Sequence, residues 1–232
     1  VPSEWLDAFA SFQGPVHMHV SEQPAENEQC AAEYGMSPSA VLATKGLLNT
    51  AFTAVHMTHP MDGDDQLYAG SGAHICVCPT TEMDLGDGFL PTSMKRAAHL
   101  CVGTDSHAHI DLMMEVRALE LHARAVDGRR NVLAPVGEPN GLVRRLLYAG
   151  TTAGRVALGG RAQGIEAGAP ADFSGIRLDK TGAFGVPPLQ ALVFVSNPNW
   201  VSDVWVAGQR CVQNGQHKKH ATVLEAALPW LA

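Results

Sequence analysis

At 232 residues, 46% of them apolar, the chain is long enough to bury a substantial core, as one medium domain or one domain with a small appendage. Its formal net charge of −7, with basic runs no longer than pairs such as Lys218-Lys219, argues against a nucleic-acid binder. No uninterrupted apolar stretch reaches the roughly 20 residues that a membrane helix needs, which leaves a small molecule as the expected partner.

In chain order, four apolar, β-branched runs predict strands at 16–20, 52–56, 74–78 and 100–105. Each is followed by a helical pattern, at 26–34, 62–71, 92–98 and 112–126, the third after a Gly-rich loop. Repeated strand–helix units imply an α/β fold with a parallel sheet or a (β/α) barrel. Helices are expected next at 142–149 and 151–158. Short strands follow at 164–173, 192–194 and 201–208, in Gly- and Pro-rich surroundings that point to a small β domain. A terminal helix is expected at 222–231. The expected organisation is therefore a barrel portion over 1–160, part of a small β-sandwich domain over 161–212, and a tail over 213–232.

The cysteines at 30, 76, 78, 101 and 211 are odd in number and scattered, which is no disulfide framework and fits a reducing cytoplasm. Cys76 and Cys78 read more simply as small apolar residues on one strand face than as a metal clip. Residues 1–5 show neither the basic region nor the apolar core of a secretory signal. The eleven histidines are more informative, because neutral imidazole is the commonest metal ligand.

Each predicted strand ends in residues suited to chemistry: His19, His56, the Pro79-Thr80-Thr81-Glu82 segment and Asp105. In barrels, active sites sit at these C-terminal strand ends. His19 and Glu22 are spaced so that both can overhang such a mouth, one to hold a metal and the other to move protons. Taken singly, each has a plainer reading: His19/Glu22 as a surface pair, His56 as a core histidine, Asp105 as a helix cap. Their order, His with Glu, then His, then Asp on successive strands, favours chemistry.

That order resembles the second half of the amidohydrolase superfamily barrel. Three stretches narrow the resemblance to the formimidoylglutamate deiminases: residues 16–23 (Val-His-Met-His-Val-Ser-Glu-Gln), 78–88 (Cys-Pro-Thr-Thr-Glu-Met-Asp-Leu-Gly-Asp-Gly) and 103–107 (Gly-Thr-Asp-Ser-His). Glu120-Leu121 and the run from Arg129 to Val132 are also similar, and Asp84 departs from the pattern, where Asn is expected. The resemblance implies the C-terminal half of a (β/α)8 TIM-type barrel, with zinc, or another divalent ion, held by His19 and Asp105. It implies that Asp105 also deprotonates the attacking water, that Glu22 shuttles a proton to the departing nitrogen, and that His56 polarises water or substrate. Thr81, Glu82 and His107 are the implied substrate contacts. The implied reaction turns N-formimino-L-glutamate into N-formyl-L-glutamate and ammonia.

In that superfamily a His-x-His pair on the first barrel strand supplies two further ligands, and nothing before His19 can be that pair. The chain is therefore expected to lack the first half of its barrel, to turn over little alone, and to belong to a full-length homo-oligomer. The competing readings are an aminohydrolase of guanine-like or other heterocyclic amines, and a non-catalytic remnant.

Overall fold

A computed structural model describes residues 2–97, 99–162, 164–179, 183 and 185–230. The chain folds as two compact units, 1–162 and 163–232.

The first unit opens with helix α1 (Ser3–Ala10) and then alternates strands and helices: β1 (Val16–Val20), α2 (Pro24–Tyr34), α3 (Pro38–Thr44), β2 (Phe52–His56), α4 (Asp64–Ser71), β3 (His74–Val77), α5 (Pro79–Leu85), α6 (Thr92–Ala97) and β4 (His99–Val102). The strands form one parallel sheet in sequential order β1-β2-β3-β4. The long α7 (Leu112–Asp127) follows, then α8 (Gly141–Tyr148), which runs through a π turn (Ala149–Ala153) into α9 (Gly154–Ala157). Helical layers between parallel strands are the α/β pattern expected from the sequence.

Alternation along the strands sorts the two sheet faces. Phe52, Ala54, Ile75, Val77, Leu100 and Val102 are all buried, and each of these side chains other than the Ala54 methyl contributes about 1.5–3 kcal/mol by leaving water. The opposite face carries His17, His19, Thr53, Val55, His74, Cys76, His99 and Cys101, brought side by side by the register. Cys101 packs there against Ala153 and Ala157, and a His17 ring nitrogen lies 3.0 Å from the carbonyl oxygen of Ala157. Cys76 and Cys78 share that face, and a side chain at Gly103 would press on the Cys76 sulfur and touch that of Cys78.

Helix ends follow local chemistry. Pro24, Pro38 and Pro79 stand at first helical positions, and Gly35, Gly86 and Gly128 close α2, α5 and α7 in the left-handed conformation. Ser37 caps α3 through the amide of Ala40, and its hydroxyl donates to buried Asp64 at 2.6 Å. Asp111 caps α7 through the amide of Met113.

Three expectations need correction. Residues 79–85 are a helix, not a loop, because Pro79 and Gly86 frame them and Glu82 reaches back to the amide of Cys78. The run at 192–194 ends helix α10 (Pro188–Phe194), not a strand; Pro187 and Pro188 start the helix one turn earlier. The strand expected at 164–173 shrinks to β5 (Phe173–Ile176), since the Gly- and Pro-rich run before it forms turns. Helices α1 and α3 were not anticipated. Ala98 and Leu231, the expected last residues of two helices, lie outside the described residues.

The second unit holds a four-stranded antiparallel sheet of β5, β6 (Val201–Val206), β7 (Gln209–Gln213) and β8 (Gln216–His217) in sequential order. Phe173 and Trp205 stack at 4.7 Å, and Arg210 lies over the Trp205 ring. Among the described residues this unit carries one sheet, so a second sandwich layer is not supplied by them. Helix α11 (His220–Ala227) follows. No described helix is long and apolar enough to cross a membrane.

Candidate active site

Four groups meet at the C-terminal ends of β1, β2 and β4. His19 lies one residue before the end of β1, and Glu22 follows in the turn before α2. His56 ends β2, and Asp105 lies just past β4. His19 Nε2 is 3.8 Å from an Asp105 oxygen, and His56 Nε2 is 3.8 Å from the other. His56 Nε2 also lies 3.7 Å from Glu22 Oε1. The two imidazoles stack with centroids 5.1 Å apart.

The backbone is bent to achieve this. Ser21, His56, Met57, Asp105 and His107 all have left-handed φ values, between 32° and 74°. Such residues cost about 1–3 kcal/mol each when not glycine, and they gather at functional sites. Alternation along β2 would send His56 to the face of Phe52 and Ala54. The left-handed φ of 74° at His56 instead ends the strand there, and its ring meets His19 and Asp105.

His56 is 1% exposed, whereas Glu22 and Asp105 keep about a quarter of their side chains open. Burial alone would lower the His56 pKa, but the Glu82 hydrogen bond and the charges of Glu22, Glu82 and Asp105 outweigh it and raise the pKa above the ordinary range. Glu82 is pushed up by burial, against the opposing pull of His56 and the Cys78 amide.

One ligand atom each from His19, His56 and Asp105 lies within 4.8 Å of the others. Two imidazoles and a carboxylate suit a borderline divalent ion such as zinc, so this donor set fits the metal that the sequence implied. The geometry puts His56 in the set as well, a position that sequence reasoning had kept for polarising water or substrate.

The implied substrate contacts are placed differently from one another. His107 is exposed beside Asp105. Thr81 is buried; its hydroxyl lies 3.1 Å from the Ser106 hydroxyl and accepts from the Ser106 amide at 3.2 Å, tying α5 to the Asp105 loop. Glu82 is also buried. Its Oε1 accepts from the Cys78 amide at 2.9 Å and lies 3.4 Å from His56 Nδ1. With this burial, both side chains reach the site through Ser106 and His56. The Gln23 amide donates to Asp87, which brings the loop after α5 to the end of β1.

Sequence reasoning missed Glu115. It is fully buried on α7 and accepts from both the amide (3.0 Å) and the hydroxyl (2.6 Å) of Thr80. The signal available was a Glu among the apolar residues of a helix, a position it shares with Glu120.

Comparison with known proteins places the chain in a family. The profile of the amidohydrolase family matches residues 4–211. A formimidoylglutamate deiminase from Pseudomonas aeruginosa is 32% identical over 211 residues, covering 88% of this chain and 46% of its own length. A 5-methylthioadenosine/S-adenosylhomocysteine deaminase from Teredinibacter turnerae is 30% identical over 220 residues, covering 92% of this chain and 48% of its own. An adenosine deaminase from Xanthomonas campestris, solved with bound zinc, superposes on the whole chain with a TM-score of 0.88 at 28% identity, over 54% of its length. The chain thus spans about half the length of the curated relatives it matches. With its parallel sheet, its His, His and Asp at the ends of β1, β2 and β4 and a profile match over most of its length, the chain belongs to the amidohydrolase family.

Proposed function

We propose that this chain carries the hydrolytic half of a metal-dependent deiminase, acting on the formimino carbon of N-formimino-L-glutamate. The observation that carries this reading is the convergence of His19, His56, Asp105 and Glu22 on one point at the mouth of the parallel sheet. The four strands are read as the second half of a (β/α)8 barrel, in keeping with the sequential parallel order and the superposition on the Xanthomonas enzyme.

His19, His56 and Asp105 would contribute to holding a divalent ion. When bound, such an ion supplies Lewis-acid polarisation and makes hydroxide available near neutral pH. Asp105 takes the proton of the attacking water. Glu22, partly open to solvent and next to His56, carries a proton to the departing nitrogen. Water adds across the formimino C=N bond, the terminal C–N bond breaks, and nitrogen leaves as ammonia with the N-formyl product behind. His107 stands exposed at the rim and is assigned to the substrate. Low activity of the 232-residue chain by itself is part of the proposal, as are oligomerisation of the complete protein and a cytoplasmic location.

The formimino substrate is favoured by the Pro79–Gly88 stretch and by the Pseudomonas relative. A second reading, deamination of a purine nucleoside, is favoured by the Teredinibacter relative. Ammonia release by the zinc-loaded complete gene product separates them. Turnover of N-formimino-L-glutamate at least tenfold above 5-methylthioadenosine is expected. The reverse order establishes the second reading, and release from neither substrate overturns both.

A further inference from the structure

We propose that Glu82 is a positioning residue whose Oε1 fixes His56 with its hydrogen on Nδ1, leaving the Nε2 lone pair to face Glu22, Asp105 and His19. The inference rests on the reading of this cluster as the hydrolytic centre.

Oε1 of Glu82 receives the Cys78 amide at 2.9 Å and stands 3.4 Å from His56 Nδ1. The unprotonated oxygen of a carboxyl is the better acceptor, so the Cys78 amide on Oε1 favours Oε2 for any proton on Glu82. On this reading Nδ1 carries the hydrogen, and in the neutral ring Nε2 is the bare nitrogen. Nε2 is the atom within 3.8 Å of both Glu22 and Asp105.

A cap for α5 would need only one acceptor. Yet Glu82 is 1% exposed, and its Oε2 is buried with no hydrogen-bond partner among the described residues. A buried, half-satisfied carboxylate is costly to keep, and His56 is the reason the geometry offers. Helix α5 holds this acceptor still: Pro79 starts it, Gly86 ends it, Thr81 ties it to Ser106, and Glu115 grips Thr80. Polar groups behind an imidazole commonly set its tautomer and ring orientation, and removing them typically lowers affinity or activity by about 10–100-fold.

The test compares Glu82→Leu and Glu82→Gln with the parent chain. Long-range 1H–15N spectra of the zinc-free 232-residue chain at alkaline pH report the His56 tautomer, with His56→Gln identifying its signals. The parent should show hydrogen on Nδ1. Glu82→Gln, whose carbonyl still accepts, should keep that tautomer, and Glu82→Leu should lose it. In the zinc-loaded complete gene product, Glu82→Leu should lower kcat about 10–100-fold with KM changed less than threefold, and Glu82→Gln should recover most of the loss. An unchanged tautomer in folded Glu82→Leu overturns the proposal, and so does a loss confined to KM, which would make Glu82 a substrate contact. Should Glu82→Leu fail to fold, loss of the Nδ1 hydrogen in Glu82→Gln overturns it equally. If no substrate is turned over, the hydrolytic reading fails while the tautomer spectra still decide the role of Glu82.

Discussion

Histidines in this chain illustrate how one side chain takes opposite characters from its surroundings. His56 is buried among three carboxylates, and its pKa is raised despite burial. His122 on α7 is buried against the Phe89 ring and near Lys95, and burial first, then the Lys95 charge, lower its pKa to about 4. A histidine with a depressed folded pKa stabilises the fold above its unfolded pKa of about 6.5, and that contribution fades as pH falls towards 4. The full shift corresponds to about 3 kcal/mol, most of it lost by pH 4. Urea unfolding at pH 7 and pH 4 should therefore show His122→Phe losing less stability on acidification than the parent, by about that amount. Equal losses would show that His122 is protonated in the folded chain.

At the scale of elements, α5 is the piece that joins sequence to site. Glu115 accepts two buried donors of Thr80, so Glu115→Ala leaves both unsatisfied, at about 1–3 kcal/mol each. A loss of about 2–5 kcal/mol in urea unfolding is expected, with weaker protection of the α5 amides in hydrogen exchange. A loss below 1 kcal/mol would show that Thr80 finds other partners. The strands at the site were legible because their apolar runs are unbroken: 16–20 and 52–56 match β1 and β2 residue for residue. Helix α5 was not legible, because the short run from Pro79 to Leu85, with Gly86 and Gly88 after it, looks like a loop until Glu82 is seen reaching back to its own helix start. Helix α10 was misread because three apolar residues carry no period that separates helix from strand.

For the whole molecule, the order of polar strand ends conveyed more than any single residue. His19, His56 and Asp105 are separated by tens of residues, yet sequential parallel pairing of β1 to β4 brings them to one edge of the sheet. The left-handed turn at His56 was invisible beforehand, since no glycine marks it. The link between Glu82 and His56 was equally hidden, because it depends on how α5 packs rather than on spacing.

The central claim is that Asp105 and Glu22 move the protons of a hydrolysis at a metal held in part by His19, His56 and Asp105. It is tested most directly by the kcat for ammonia release from N-formimino-L-glutamate, measured on the complete gene product carrying Glu22→Gln or Asp105→Asn, with bound zinc quantified in each. Glu22→Gln should retain zinc and lose about 100-fold or more in kcat, and Asp105→Asn should lose activity together with part of its zinc. Near parental turnover with full zinc in either variant would contradict the account.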